Sequence, residues 1–514
     1  MSNVLKRMAS TAVTSVAVVL GLAVVAPSLA VAQNKNITIV LSGEPDTLDG
    51  CMSARSVTGR IILQNVVETL TQLDPDNGAI SPRLATSWEK IDDLTWRFKL
   101  VKGASFTDGA PFNSKTLAVS IARTMENPHL FCENRTKRFA DVDIKGVPVD
   151  DYTIDIKTNK PEPILPTRMG ILSLSSPNTP TDKLTWTPIG TGPYILTNFT
   201  AGSDANMVRN ENYWGKKPDV EAVHFVWRSE SSVRAAMVKI GEADLTDEIS
   251  YQDANDPAMD YEFLNSETTY GRVDNVTAPL NDKRVRLAMN YAIDRETVRG
   301  TIFPKGALHA TQMVGPWISG HNHDLDKMVR HYDPDKARKL VAEAKAAGVP
   351  VDTQILLKGR IGYYPNVNEF GQALMAMFND VGLNTKLEML ERSVWSTFNN
   401  APFAEDRKPI IMLHQHDNNA GDPVFSMFSK YTCKGSSSGQ CVPALDKKIS
   451  AAALLSGQPR VDAWREVFRD IYEEHVTDVF MFHMVGYTRV GNRLDFTPNI
   501  SINSWIPIEQ IKFK

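Results

Sequence analysis

Two His-x-His-Asp runs, His414-Gln415-His416-Asp417 and His321-Asn322-His323-Asp324, set imidazoles two residues apart. On a strand such residues share a face, so each pair could chelate a transition metal. A catalytic zinc site needs three protein ligands, and neither HExxH nor Cys-x-x-Cys accompanies the runs. The chain also lacks a Walker loop and a Gly-x-Gly-x-x-Gly. Missing motifs do not exclude an enzyme, but nothing in these residues asks for one, and no enzymatic activity, bound metal or cofactor is expected. The rival from another class is a secreted metal-dependent hydrolase built on the two runs.

The first run opens a polar stretch, LHQHDNNAGDPVFSMF at 413–428, whose His416, Asp417, Asn418 and Asn419 could face a ligand. The two asparagines can bond a peptide, an opine or a sugar-like compound alike. Asp422 is a further candidate, although an aspartate before proline also starts turns. Trp317, bounded by Gly315, Pro316 and Gly320, reads as a loop aromatic near a cleft or the surface.

The elements that must position these residues are strands and helices in alternation, which predicts mixed α/β architecture. Trp96, Phe98 and Leu100 alternate with Arg97, Lys99 and Val101, the period of a half-buried strand. A turn follows at Thr107-Asp108-Gly109-Ala110-Pro111, where Gly109 can take a positive φ. In DPDKARKLVAEAKAAG, Asp333 caps a helix, Pro334 fills its first position, and Ala337, Leu340, Val341 and Ala344 form one face. A second helix is predicted from Asp282, with Asp294 capping the next segment. A third carries Val461, Trp464, Phe468, Ile471 and Tyr472 as a packing stripe.

The first 32 residues have the pattern of a secretory leader. Lys6 and Arg7 precede an apolar core at Val13 to Val25, and Ala30-Val31-Ala32 offers a cleavage site before Gln33. No cysteine stands at that point to carry a lipid, so the expected product is a free periplasmic protein. Loss of Lys6 and Arg7 takes the net charge from −4 to −6. Basic residues are scattered, which argues against nucleic acid and anionic membranes as partners. About 480 residues remain, above the size at which one core splits, so at least two domains are expected. Cys433 and Cys441 flank the polar loop KGSSSGQ and could be bridged, while Cys51 and Cys132 could pair or stay apart.

Four stretches, in order, resemble the solute-binding proteins of bacterial ABC importers, in the dipeptide, oligopeptide and nickel group. They are PRLATSWEKIDDLTWRFKLVKGASFTDGAPF at 82–112; GTGPY at 190–194 with RNENYWGKKP at 209–218; NDKRVRLAMNYAIDRETV at 281–298; and NSWIPIEQIKF at 503–513. The resemblance implies a two-lobed α/β periplasmic binding protein of the class II, or cluster C, type, with mixed sheets flanked by helices and a hinged cleft between the lobes. It implies a first domain of 33–275 plus 490–514, with an extra subdomain at about 57–187, and a second domain of 276–489. The crossings fall near Val273 to Ala278 and Val485 to Gly491. A monomer that delivers solute to ABC permease subunits is expected.

The same resemblance bears on the ligand. Peptide-binding relatives carry an acid four residues before the proline of an Asp-Pro pair, where it receives the peptide ammonium. This chain has Asn419 there and Asp417 two residues upstream. An amide cannot give the charge-assisted bond, so either Asp417 substitutes or the ligand is not held by a free amino terminus. Trp395 matches a cleft tryptophan of oligopeptide-binding relatives. Arg135 and Arg138 in ENRTKRF lie where nickel-binding relatives hold a chelator carboxylate, and Arg138 is taken as the candidate. The expected solute is a peptide or peptide-like compound, with a nickel or metallophore receptor or an opine receptor as the alternative.

Overall fold

The structure is a computed structural model that describes residues 34–53, 57–74, 78–404, 406–418, 420–498 and 505–514. The expected leader and Asn419 fall outside the described residues, as does part of the last motif. No helix among the described residues is long and apolar enough to cross a membrane.

Two mixed sheets organise the molecule. The first has five strands in the order Leu245–Thr246, Asn36–Leu41, Ala222–Trp227, Asp204–Arg209 and Tyr194–Thr200. Asn36–Leu41 runs parallel to both neighbours, and the remaining pairs are antiparallel. The second has six strands, with the long strands Asp478–Arg489 and Asp260–Val273 and the strand Ile410–Asp417 at its centre. Strand Asp478–Arg489 is buried along its whole length, as a central strand covered on both faces must be. Each sheet has its own apolar core. One gathers Ile39, Tyr194 and Phe225; the other gathers Met289, Phe370 and Phe482.

A separate four-stranded antiparallel sheet holds the first motif. Ala85–Asp92 pairs with Thr95–Leu100, which pairs with Thr153–Thr158. Phe98 and Leu100 are buried while Lys99 is exposed, the alternation the sequence predicts. Gly109 takes φ 87° in the following turn.

The predicted helices stand close to where their caps place them. Asp333 Oδ1 accepts from Lys336 N at the start of Pro334–Ala346. Asp282 caps Lys283–Ala292, and Asp294 caps the short helix Arg295–Val298. The stripe through Trp464 and Phe468 packs helix Gly457–Arg469 into a further apolar core.

The chain passes between the two large sheets along one ladder. Asp260–Val273 pairs antiparallel with Asp478–Arg489 from Asp260 opposite Arg489 to Arg272 opposite Asp478. The first of these strands is therefore already bonded into the six-stranded sheet upstream of the crossing expected near Val273. Arg489 holds Asp260 in a two-point ion pair of 2.6 and 2.7 Å. Immediately beyond, Val490 bridges Leu245 at the edge of the five-stranded sheet. Disulfides link Cys51 to Cys132 and Cys433 to Cys441, with Cα separations of 5.1 and 4.2 Å.

Candidate ligand cleft

Residues of the two sheets meet around a cavity of about 300 Å³. Ser42, Ile61 and Asp247 line it from the first sheet's side, and Tyr363, Gln415 and Glu267 from the second. A neighbouring cavity of about 90 Å³ is lined by Arg60, Gln64, Arg138 and Glu68. The helix Val57–Leu63 joins the two, since Arg60 faces one and Ile61 the other.

Two arginines and several acids give this region its character. Arg60 is only 4% exposed, and its Nε has no hydrogen-bond partner. Arg138 donates to the carbonyl of Ile171 at 3.2 Å. Among the described residues neither guanidinium is in an ion pair. Burial lowers the pKa of Arg60, opposed by the charges of Asp417 and Glu267. Burial lowers that of Arg138 to about 9, with Arg60 adding like-charge repulsion. Two guanidiniums that repel each other in a buried region are stabilised by an anion between or beside them.

The acids show the opposite strain. Burial, then the nearby charges of Glu248 and Asp417, pushes the Glu267 carboxyl up to about 8. Glu248 rises to about 7 through burial and the adjacent Asp247. Glu267 is positioned by Asn265 Nδ2 at 3.1 Å and by Gln415 Nε2. Asp247 accepts from Ser42 Oγ at 2.7 Å, a bond between separate stretches of the first sheet's side. The region thus has a cationic end and an acidic end.

The strand Ile410–Asp417 explains how the histidine run divides. Its even and odd residues face opposite sides. Gln415 lines the cavity, and the charge of Asp417 acts on both arginines. His414 lies on the other face, buried in an aromatic stack 5.2 Å from the Tyr270 ring and 5.0 Å from Trp395. Both His414 nitrogens lack hydrogen-bond partners, and burial drives its pKa well below the usual value. His416 Nε2 lies 2.8 Å from Ser426 Oγ. The two imidazoles are thus committed to different neighbours.

The remaining sequence candidates separate. Asn418 is buried and donates to the Asp422 carbonyl and to Ser426 Oγ at 3.1 and 3.0 Å, so it braces its own loop. Asp422 does not reach the cavities. Arg460 grips it at 2.7 and 2.8 Å, and it accepts from Val424 N at 2.9 Å to start helix Val424–Tyr431. A carboxylate so neutralised has little left for a ligand. Trp395 stands behind Tyr363, ring centroids 5.5 Å apart, as a backing plate to the wall. Trp317 is buried in the second lobe's helical core. Its carbonyl comes close to Gly78, where an added Cβ would lie 3.2 Å from it. The loop 435–439 spells Gly-x-Ser-x-Gly, but it joins two helices rather than a strand to a helix, so it is no nucleophile elbow.

Sequence reasoning missed Arg60, Glu248, Glu267 and Tyr363. Glu267 sits on a strand whose pattern reads simply as sheet, and Arg60 is the single basic residue of an otherwise apolar helix, VTGRIIL. A lone charge amid apolar residues was the available signal.

The chain resembles several characterised binding proteins. It is 25% identical over 457 residues to the dipeptide-binding protein of Escherichia coli, covering 82% of this chain and 83% of that protein. It is 28% identical over 490 residues to the nickel-binding periplasmic protein of the same organism, covering 87% and 89%. In fold it matches NikA of Brucella suis, solved with Fe(III)-EDTA, at a TM-score of 0.80 and 19% identity, covering 93% of this chain and 100% of that one. The fold is thus that of a two-lobed periplasmic binding protein. Residues 79–438 match the bacterial extracellular solute-binding proteins, family 5 Middle, and the chain belongs to that family.

Proposed function

We propose that this protein captures a small zwitterionic solute, a short peptide or peptide-like compound, between its lobes in the periplasm and delivers it to an ABC permease. One observation carries the reading: Arg60 and Arg138, in no ion pair among the described residues, line a cavity beside the one that Glu248 and Glu267 line, and the charge of Asp417 reaches both arginines and Glu267. A solute carboxylate suits the arginine end through charge-assisted bonds, and an ammonium suits the acidic end. Asp417 then takes the part that Asn419 cannot.

Closure follows from the same arrangement. A ligand drives it only by binding the closed form better than the open one, and contacts to both lobes supply that difference. The ladder of Asp260–Val273 on Asp478–Arg489 is the proposed hinge, with domains close to 33–275 plus 490–514 and 276–489.

A carboxylate-rich metal chelate is the second reading, favoured by the same arginines. His414 would not touch such a metal, because it is stacked on Tyr270. Native mass spectrometry of protein taken from its own periplasm, with fragmentation of any retained molecule, tests both. A retained peptide or opine supports the first reading and a chelate the second. Calorimetry that finds no heat with dipeptides, opines or chelates overturns both.

A further inference from the structure

A second polar cavity, of about 460 Å³, lies in the second lobe and shares no lining residue with the cleft cavities. His309, His321, His331 and His483 line it together with Glu296 and Asp326. At its edge, ligand atoms of the lining residues His321 and Asp326 and of the exposed His323 all lie within 4.8 Å of one another. His321 Nε2 is 3.0 Å and His323 Nδ1 3.4 Å from the same Asp326 oxygen. Donors about 2.0–2.1 Å from a tetrahedral zinc stand roughly 3.3 Å apart, so this spacing suits an ion of that size.

The surroundings of His321 fix its tautomer. Its Nδ1 lies 2.9 Å from the Val314 carbonyl, which can only accept, so Nδ1 carries a hydrogen. Gln312 is held by Asn322, accepting from its N at 2.9 Å and donating to its carbonyl at 3.1 Å. That orientation places the Gln312 amide nitrogen 3.2 Å from His321 Nε2, at the edge of the site. Both Asp326 oxygens face Nε2, at 3.0 and 3.1 Å. With no metal bound, an Nε2–H donated to Asp326 satisfies both groups, and a divalent ion seated there would replace that proton. An imidazole whose far N–H is anchored to a backbone carbonyl is also the usual arrangement of a metal-bound histidine.

A separate observation points to the same place. His483 is 3% exposed, and its Nε2 has no hydrogen-bond partner, while its Nδ1 is 2.9 Å from Thr268 Oγ1. Its ring is 5.7 Å from that of His321 on the wall of this cavity. It can receive a bond from metal-bound water.

We infer that His321, His323 and Asp326, with His483 behind them, form a binding site for a borderline divalent transition metal outside the solute cleft. Imidazole-rich donor sets of this kind take zinc, nickel, copper or cobalt. Asp324, which the sequence run sets beside the histidines, instead pairs with Lys327 at 3.2 Å. The acid comes from the next turn, Leu325–Met328, which carries Asp326 back over the two rings.

Untagged protein, stripped with a chelator and titrated with Co(II), is expected to bind one ion with the visible absorption of a nitrogen-rich site and to release it to Zn(II). His323→Ala and Asp326→Asn alter partly exposed side chains and should fold. Each is expected to weaken Co(II) binding at least tenfold, whereas His416→Ala leaves it unchanged. Absence of Co(II) binding, or equal affinity in His323→Ala and Asp326→Asn, overturns the site. Loss of binding in His416→Ala alone overturns it too, by placing the ion in the cleft.

Discussion

Arg83 Nη1 lies 2.8 Å from Glu509 Oε1, although 426 residues separate them. The same guanidinium donates to Glu68 at 2.6 Å, and Glu68 also accepts from Thr191 Oγ1 and Trp214 Nε1, both at 2.8 Å, and from the Tyr213 hydroxyl at 3.0 Å. Residues from the stretches at 82–112, 190–194 and 209–218 thus converge on the buried Glu68 carboxylate, and Glu509 from 503–513 joins them through Arg83. Their order along the chain is a record of one bonded cluster that ties the ends of the first lobe together.

Glu68→Ala should therefore act on stability. It leaves Arg83 with Glu509 as its remaining acidic partner and deprives Thr191, Tyr213 and Trp214 of their acceptor, at about 1–3 kcal/mol for an unsatisfied buried donor. Urea unfolding is expected to show that loss as a lower midpoint with an unchanged slope.

Asp422→Asn separates a ligand residue from a structural one. Arg460 would lose its two-point partner in the buried second lobe, again at about 3–5 kcal/mol, with the Kd of the solute changing less than about threefold. A large loss of affinity at intact stability would return Asp422 to the binding site.

Arg138→Gln should leave the fold standing, because Arg138 makes no ion pair among the described residues, while weakening any carboxylate-bearing solute. Loss of one charge-assisted bond of about 1.5–3 kcal/mol corresponds to roughly ten- to a hundredfold in Kd. Calorimetry on the two proteins measures it.

Glu267 makes stability and binding depend on pH in a defined direction. Its folded carboxyl titrates near 8 rather than 4.5, so between those values the folded chain binds more protons than the unfolded one. Its contribution therefore favours folding at acid pH and is lost as pH rises through this window. Glu267→Gln should flatten that decline and raise Tm at pH 8 by about 2 °C or more. An ammonium-bearing solute should expel the proton at neutral pH, so the binding enthalpy should vary with the ionisation enthalpy of the buffer.

The sequence by itself determined the local elements and the family. Caps at Asp282, Asp294 and Asp333, the alternation through Phe98 and Leu100, and four ordered motifs are local signals, because they depend on residues within a few positions of one another. It also marked His416, Asp417 and Arg138 as polar residues in unusual company. Tertiary structure decided which of these share a space. Only the packing of the lobes brings Arg60 and Arg138 within electrostatic reach of Asp417 and Glu267, buries His414 among rings, and gives Asp422 to Arg460. Burial and through-space charge fix what a polar side chain can do, and both are set by neighbours from tens to hundreds of residues away along the chain.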